Sequence, residues 1–560
     1  MKKNRLLISS LAIGLAMAPN LGQAQCMPSA NNNIDINQVD AMLHNGSDMF
    51  WDLQSSPRYE VPKGSGKHVA FASSLWVGGT SLSGALHVAA STYRQTGNDF
   101  YAGPYRSNGN YNCATGFDQQ WQKIWKVNRS EVMQFQSDFW AGTVNFNNYP
   151  EIETWPGNGD TTQTEDWQMA PFVDMDGDGV YDPAGDGDFP CFPGDQGLWW
   201  VTNDDGAHTE TSSTAFPLQI TNMVYGYNCQ GGYCPDSVFD YLTFYHREIT
   251  NKSSSTYTDF YIGFWLDTDI GNYTDDYVGC DTIRNMTFSY NGDPDDETAS
   301  GYGLNPPAFG SLLLPNDDIS KMAGTMVYEN DFSDYGNPEL PEHYYNYLKS
   351  TWKNGDHLVD NGQFGRPANG TGPLTNFAYP GDPGFCGGVG NGWSEVSAGN
   401  QPFDRRSLQT FGPFTIQPGE TIHLDYALLF ARGYYNDNLG SVCELQKTAD
   451  IVLSFWNPTM ANSCSGGLPT SATASVEDAF DLNVYPNPNG GTFHVTWNKQ
   501  FKGAQSLKMI DIQGRTVKEF ALEKSRLQLD VDAQELNAGL YFLQMNANGK
   551  THTTKVVIKH

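Results

Sequence analysis

Apolar side chains at every second position limit the fold of this chain more than any other feature. They recur in this way across residues 260–266 and again across residues 422–430, and the period is typical of β-strands that bury one face. Residues 68–77 and 85–93 flank a Gly-Gly-Thr segment and predict a β-hairpin with its turn at that segment. A helical period at residues 442–456 predicts one amphipathic helix. We therefore predict a mainly β body, a β-sandwich-like structure of one or two domains with long loops.

Changes in composition divide the chain further. Residues 1–24 combine a basic start, an apolar core and a Gly-Gln-Ala cleavage site, which predicts a signal peptide. We divide the body into an N-terminal β-rich region (25–235) and a β-sandwich-like region that ends in the helix (236–462). Small polar residues at 463–476 predict a linker into a C-terminal module, residues 477–560. No later stretch approaches the roughly 20 apolar residues of a membrane span, so we expect a protein that does not cross a bilayer.

The C-terminal module carries four short motifs in order. They are Tyr485-Pro486-Asn487-Pro488 followed by Gly490-Gly491, then Asp511-Ile-Gln513-Gly514-Arg515, then Gly539-Leu-Tyr541, and finally Lys555-Val-Val-Ile-Lys559. Apolar residues between them alternate at the strand period, which predicts a small all-β module. Together the motifs resemble the type A C-terminal sorting domain of cargo proteins of the Bacteroidota type IX secretion system.

This resemblance implies an immunoglobulin-like β-sandwich at residues 477–560 that the type IX secretion machinery recognises. It implies export across the outer membrane, removal of the domain, and either release or attachment to surface lipopolysaccharide. The expected location is therefore secreted or on the outer cell surface. The body is similar in general layout to large uncharacterised surface proteins of the same bacteria, and that likeness assigns it no activity.

The charge of the chain restricts its partners. The formal net charge is −31, and all of the excess negative charge lies before residue 477, because residues 477–560 hold ten basic and nine acidic side chains. Such a body repels nucleic acid and anionic membranes. It favours divalent cations, although an acidic surface also serves solubility alone. We expect no nucleic-acid partner.

The strongest local motif has the spacing of a calcium loop. Asp174, Asp176, Asp178 and Asp182 occupy positions 1, 3, 5 and 9, with Gly at position 6, and the carbonyl of Val180 at position 7 supplies a further oxygen. The spacing resembles calcium loops of the EF-hand, dockerin and thrombospondin type 3 kinds. Position 12 is Gly where an EF-hand has Glu, so Asp186 or Asp188 would have to substitute. We predict a structural Ca²⁺ here; the alternative is an acidic surface turn.

A second acidic cluster follows a predicted strand. Asp267, Asp269, Asp275 and Asp276 offer hard oxygen ligands that suit Ca²⁺. Their spacing is less diagnostic than that of the first motif, so a solvated turn remains an equal alternative.

The sequence contains no Gly-x-Ser-x-Gly elbow, His-Glu-x-x-His motif, phosphate-binding Gly-Lys-Ser/Thr loop or dinucleotide fingerprint. His246 and Glu248 lie two residues apart on a predicted strand and share a face, as an acid/base pair would, but a half-buried structural histidine is the commoner case. Clustered aromatic residues offer either sugar-stacking platforms or ordinary core packing, and we favour packing: Trp121, Trp125, Trp199, Trp200, Tyr344, Tyr345, Tyr347 and Trp352.

The nine cysteines suit an oxidising destination. Cys229 with Cys234 and Cys443 with Cys464 are possible pairs, and an odd count leaves at least one thiol. Cys26 follows the predicted cleavage site and raises lipid attachment as an alternative, although the Gln before it fits that reaction poorly.

These observations favour a secreted or surface-attached, calcium-stabilised β-rich protein with a binding, adhesive or structural role. Extracellular polysaccharide and surface lipopolysaccharide are the partners we consider. The alternative is a calcium-dependent extracellular hydrolase that acts on polysaccharide, because two carboxylates on facing strands suffice for glycoside hydrolysis.

Overall fold

A computed structural model of the chain describes most of the body and part of the C-terminal module. The described residues are 25–109, 111, 113, 118–229, 236–381, 392–433, 437–456, 482–485, 487, 489–497, 506–511, 515–522, 528–547 and 550–559. The predicted signal peptide and the predicted linker lie outside them. The chain divides into two compact units at residue 466, and each is described by itself.

The described part of the body contains twenty-five strands: β1 (Asn31–Ile34), β2 (Asp40–His44), β3 (Asp48–Met49), β4 (Tyr59–Glu60), β5 (His68–Ala70), β6 (Ala72–Ser81), β7 (Leu86–Ala89), β8 (Tyr101–Ala102), β9 (Trp125–Asn128), β10 (Phe172–Val173), β11 (Phe189–Pro190), β12 (Gln196–Asn203), β13 (Leu218–Gly226), β14 (Leu242–Asn251), β15 (Tyr257–Thr268), β16 (Asp276–Asp281), β17 (Met286–Asn291), β18 (Asp295–Asp296), β19 (Gly303–Leu304), β20 (Ala308–Leu313), β21 (Gly324–Glu329), β22 (Leu358–Val359), β23 (Leu374–Thr375), β24 (Arg405–Ile416) and β25 (Thr421–Ala431).

Five α-helices accompany them: α1 (Arg129–Ala141), α2 (Pro150–Glu153), α3 (Pro341–Leu348), α4 (Glu395–Ala398) and α5 (Asn438–Phe455). The helix predicted near the end of the body is α5, so that prediction is confirmed. It begins where the Asp437 side chain accepts a hydrogen bond from the Leu439 N–H, as an N-cap does.

Two large antiparallel sheets form the body. The ten-stranded sheet has the order β21-β24-β15-β6-β3-β2-β4-β5, with β1 beside β2 and β7 beside β6. The nine-stranded sheet has the order β16-β17-β20-β25-β14-β13-β12-β8, with β9 beside β12. Strands from before and after residue 235 pair in both sheets, so the two regions of our sequence division belong to one sandwich.

The main hydrophobic core lies between the two sheets. It joins Leu75 and Phe264 of the ten-stranded sheet to Ile220 and Tyr426 of the nine-stranded sheet, all of them buried. Turns at 252–256 and 417–420 carry the chain from one sheet to the other, because β14 and β25 belong to one sheet while β15 and β24 belong to the other. The mainly β, sandwich-like fold class is confirmed.

The outer face of the ten-stranded sheet is buried as well. Trp76 and Trp265 stack there with ring centroids 6.0 Å apart, and α3 packs over them. The predicted β6–β7 hairpin is confirmed, but its turn lies after Ser81. The Gly-Gly-Thr segment belongs to β6, because a Cβ at Gly78 would lie 2.8 Å from Leu348 of α3. Close packing, not a turn, requires that glycine.

The C-terminal unit is a small two-sheet structure with its own core. Its described strands are β26 (Leu482–Tyr485), β27 (Thr492–Trp497), β28 (Ser506–Asp511), β29 (Thr516–Ala521), β30 (Gln528–Asp532), β31 (Gly539–Ala547) and β32 (Lys550–Ile558). One sheet has the order β26-β27-β30 and the other β29-β28-β31-β32. Val495, Met509, Leu543 and Val556 are buried together, as the predicted β-sandwich requires.

One disulfide joins cysteines that are far apart in the sequence. Cys26 is bonded to Cys113, so its sulfur is not free to carry a lipid. Cys229 and Cys443 are also disulfide-bonded, whereas Cys234 and Cys464, the partners we considered, lie outside the described residues. Within the described chain, the buried Cys280 is free.

Candidate functional site

The predicted calcium loop folds as a compact turn, which we call the Asp loop (residues 174–188). Asp174, Asp176 and Asp178 each place a carboxylate oxygen within 4.8 Å of the others. The Gly179 N–H donates to Asp174 Oδ2 at 2.8 Å, and this bond and that from Gly177 lower the pKa of Asp174. Three carboxylates held this close, with hard oxygen atoms, can hold a divalent cation.

Asp188 anchors the Asp loop from below. It is fully buried, and its two oxygens accept hydrogen bonds from the N–H groups of Met175 (2.8 Å) and Asp182 (2.9 Å). Asp182 Oδ1 in turn accepts from the Gly185 N–H at 2.7 Å. The structure therefore gives Asp188 and Asp182 loop-closing roles, while their predicted relation to a cation, and that of Val180, stays a prediction.

Beside the Asp loop lies a cavity of about 480 Å³, which we call the loop pocket. Its floor is the outer face of the nine-stranded sheet. Strand register puts Met223 opposite His246 and Thr221 opposite Glu248, so all four side chains lie on this face. Its remaining walls come from the segment that carries the Asp loop, including Gln168, Met169, Phe172, Asp174 and Gly179.

A row of charged side chains crosses the floor of the loop pocket. His246 Nδ1 lies 2.7 Å from Asp425 Oδ1, and His246 Nε2 lies 3.5 Å from Glu248 Oε1. Glu248 also accepts a hydrogen bond from the Thr221 hydroxyl at 2.8 Å. His423, on the neighbouring strand, stacks against His246 with ring centroids 5.8 Å apart.

These contacts set the protonation of the pair. Burial alone would lower the pKa of His246, but hydrogen bonds to Asp425 and Glu248 outweigh it and raise the pKa to about 10. Burial would raise the pKa of Glu248, but the hydrogen bond and charge of His246 lower it to about 2. At neutral pH the two groups therefore form an imidazolium–carboxylate ion pair.

The aromatic clusters of the sequence are core. Each of the eight residues named in the sequence analysis is buried, with at most 9% of its surface exposed. Trp199 illustrates the packing, since it contacts the rings of Trp121, Trp125 and Trp155. These rings provide no open stacking platform, and the packing interpretation holds.

The second predicted acidic set separates into two places. Asp267 and Asp269 meet Asp404, with carboxylate oxygens within 4.8 Å of one another. Asp276 is the first residue of β16, its Oδ2 accepts the Ile270 N–H at 2.9 Å, and Asp275 precedes it. Burial raises the pKa of Asp276 well above its usual range.

Sequence reasoning did not identify Asp404, Asp425 or Thr221 as site residues. Asp425 is 179 residues from His246 along the chain, and no local spacing relates the two. The signal that finds them is cross-strand register, which places Asp425 directly opposite His246 between β25 and β14.

Comparison with known families concerns the C-terminal unit. Residues 483–559 match the model described as a secretion system C-terminal sorting domain. The protein is a type IX secretion cargo. This places it on the outer cell surface or in the extracellular space. Among the described residues, none of the helices has the length and apolarity of a membrane span.

Two further comparisons concern this type IX cargo protein beyond its sorting domain. No curated protein matches the chain. Among solved structures, a polysaccharide lyase aligns with 70% of this chain and 37% of its own, at 9% identity and a TM-score of 0.19. A BSP domain of a biofilm-associated protein aligns with 65% of this chain and 60% of its own, at 9% identity and a TM-score of 0.12. The chain thus spans about a third of the lyase, and scores this low carry no inference.

Proposed function

We propose that this cargo protein is a calcium-stabilised binding protein of the cell surface or its surroundings. In this proposal Ca²⁺ binds the Asp loop through Asp174, Asp176 and Asp178, and the loop pocket captures a neutral, hydroxyl-rich ligand such as a sugar unit of an extracellular polysaccharide. The observation that carries the proposal is the shared wall: Asp174 and Gly179 line the same cavity as Thr221 and Glu248.

The chemistry of the loop pocket supports a neutral polar ligand. The charges of His246 and Glu248 are already paired, and Asp174 adds negative charge, so an anion would be repelled. Glu248 retains a partly exposed side chain that can accept hydrogen bonds from hydroxyl groups. Gln168 and Thr221 provide polar atoms, and Met169 and Phe172 provide apolar contact, which is the mixture that small-molecule sites use.

The protonation states favour binding over hydrolysis. A general acid or base works best with a pKa near the ambient pH. With pKa values of about 10 and about 2, His246 holds its proton and Glu248 does not readily accept one. The pair is suited to orienting a ligand, and the polysaccharide hydrolase remains the alternative that the following experiment tests.

The test is co-sedimentation of the full chain with a panel of insoluble polysaccharides, in Ca²⁺ and in EDTA. We expect Ca²⁺-dependent retention on at least one of them, without release of reducing ends. Met223→Trp fills the loop pocket and should reduce retention at least tenfold, and Thr221→Val should weaken it by removing one hydroxyl. Leu82→Trp is the matched control, because it adds the same indole at a position outside the loop pocket where the native side chain is 77% exposed.

Equal retention of wild type and both pocket variants would exclude the loop pocket as the binding site. Circular dichroism of each variant confirms that the sandwich is intact. Release of reducing ends that Met223→Trp abolishes would replace the binding proposal by the hydrolase.

A further inference from the structure

We propose that Asp267, Asp269 and Asp404 bind a divalent cation, with Ca²⁺ the best match, at one end of the ten-stranded sheet. This site is separate from the Asp loop and does not depend on ligand binding in the loop pocket. Its ligands differ from the set predicted from the sequence, because Asp404 next to β24 takes the place of Asp275 and Asp276.

The site forms where β15 ends and β24 begins. These strands are antiparallel neighbours, and Asp267 lies opposite Arg406 in their register. Asp404 directly precedes β24, and Asp269 directly follows β15, so the pairing of the two strands brings the three carboxylates together. Their oxygens lie within 4.8 Å of one another, a separation that ligands on a common ion have, since Ca²⁺–oxygen distances are about 2.3–2.6 Å.

One oxygen of Asp267 is held by the protein and the other is not. Oδ2 accepts hydrogen bonds from the Tyr93 hydroxyl (2.6 Å) and from Arg406 (3.1 Å). Oδ1 is buried and has no hydrogen-bond partner, and the same is true of Asp269 Oδ1. Asp267 is fully buried. A buried carboxylate oxygen without a partner is costly, and a cation between these oxygens removes that cost.

The local charge points to an ion of charge +2. Arg406 forms ion pairs with both Asp267 and Asp404. Among the described residues, it is the basic side chain that forms ion pairs with the cluster. Three carboxylates and one guanidinium leave a charge of −2, which one divalent cation neutralises. All-oxygen ligation matches Ca²⁺, which also accepts carbonyl and water oxygens to complete its shell.

The test is the number of Ca²⁺ ions bound per full chain, measured by elemental analysis after equilibrium dialysis. Asp269→Asn should remove one ion per chain, because it removes one of three ligand charges at a residue whose Oδ1 has no hydrogen-bond partner. Asp174→Asn should remove a different ion, and the double variant should lose both. Asp295→Asn, an exposed carboxylate with the same change of charge, is the matched control and should lose none.

Thermal unfolding separates the proposal from simple charge repulsion. If a cation binds, the rise in Tm on adding Ca²⁺ to the EDTA-treated chain should be smaller in Asp269→Asn than in wild type. If no cation binds, Asn relieves repulsion between buried acids, and the variant is more stable by the same amount with Ca²⁺ and with EDTA. That result, or an unchanged ion count, would overturn the site.

A second variant guards against loss of folding. Asp269→Glu keeps the charge and moves the carboxylate by one methylene, and it should weaken Ca²⁺ binding at this site at least tenfold. Unchanged affinity in Asp269→Glu together with an unchanged ion count in Asp269→Asn would rule out the site. An ion count that Asp269→Asn lowers by one and Asp174→Asn leaves unchanged would count against the proposed function and leave this inference standing.

Discussion

His246 is charged because its contacts with Asp425 and Glu248 outweigh the effect of burial on its pKa. A buried histidine alone would be neutral, but Asp425 and Glu248 hold the imidazolium between them. Removing one partner of such a pair leaves the other charge buried, which costs about 3 kcal/mol or more. Asp425 is buried and has His246 on one oxygen and Asn316 on the other, so it depends on this histidine.

His246→Gln should destabilise the body most at mildly acidic pH. The pKa of His246 is about 10 in the folded protein, against an ordinary value of 6.5 for histidine. Its contribution to stability is therefore fully present below pH 6.5 and is lost as the pH rises through 10. We expect the free energy of unfolding to fall by about 3 kcal/mol at pH 6 and by much less at pH 10. Denaturant unfolding at the two pH values measures this.

The exposed His357 provides the control, since His357→Gln should change stability little at either pH. Glu248 behaves in the opposite sense. Its pKa is lowered to about 2, so its contribution is present above pH 4.5 and is lost as the pH falls through 2. An equal effect of His246→Gln at pH 6 and pH 10 would contradict the ion pair.

At the scale of one element, the Asp loop combines tight turns with little apolar burial. Gly177 and Gly179 have φ angles of +83° and +80°, a region that other residues enter at a cost of about 1–2 kcal/mol. Asp188 supplies the buried anchor. The carboxylates of Asp174, Asp176 and Asp178 repel one another, so we expect the loop to need a cation to hold this shape.

Removal of Ca²⁺ should open the Asp loop before the sandwich unfolds. In limited proteolysis we expect new cleavage within residues 174–188 in EDTA, at least tenfold faster than in Ca²⁺, because local opening precedes global unfolding in weakly packed segments. Mass spectrometry of the fragments locates the cut. Asp176→Asn should show the same cleavage even in Ca²⁺.

Asp317→Asn, in an exposed loop elsewhere in the body, should cleave like wild type. Cleavage that is identical in Ca²⁺ and EDTA would show that the loop holds its shape without a cation.

At the scale of the whole molecule, the chain consists of two units, the body and the sorting domain, each with its own hydrophobic core. The body has its own inter-sheet core, and the sorting domain has another. The boundary between the units lies at residue 466. We therefore expect the body to fold without the unit that carries the export information.

Deletion of residues 467–560 should abolish delivery to the surface and leave the body folded. In a host with type IX secretion, immunoblots of medium, surface and periplasmic fractions should find the truncated chain retained inside the outer membrane. The purified truncated body should keep the Tm of the corresponding transition in the full chain. Truncated protein in the medium at wild-type levels would contradict the export role of the domain.

Local patterns in the sequence determine the strand-rich fold class, helix α5, the shape of the Asp loop and the sorting domain. Each depends on residues close together in the chain: alternation at period two, helical spacing, alternating Asp and Gly, and short ordered motifs. The Gly78-Gly79 pair predicts a turn from the sequence, but both residues lie within β6, where Gly78 allows α3 to pack closely and Gly79 lies against Phe260.

Only the tertiary structure decides which distant residues meet. Strand pairing puts Asp425 against His246 and Arg406 against Asp267, across 179 and 139 residues of chain. Neither pairing follows from spacing, since it depends on which strands share a sheet and in which register. The sequence alone therefore determines the kinds of side chain and the elements that carry them. The pairing of distant strands determines the contact of His246 with Asp425 and the cluster of Asp267, Asp269 and Asp404. The packing of the Asp-loop segment on the outer face of the nine-stranded sheet determines the loop pocket. Each of these sites joins residues that are far apart in the chain, and local spacing does not specify such contacts.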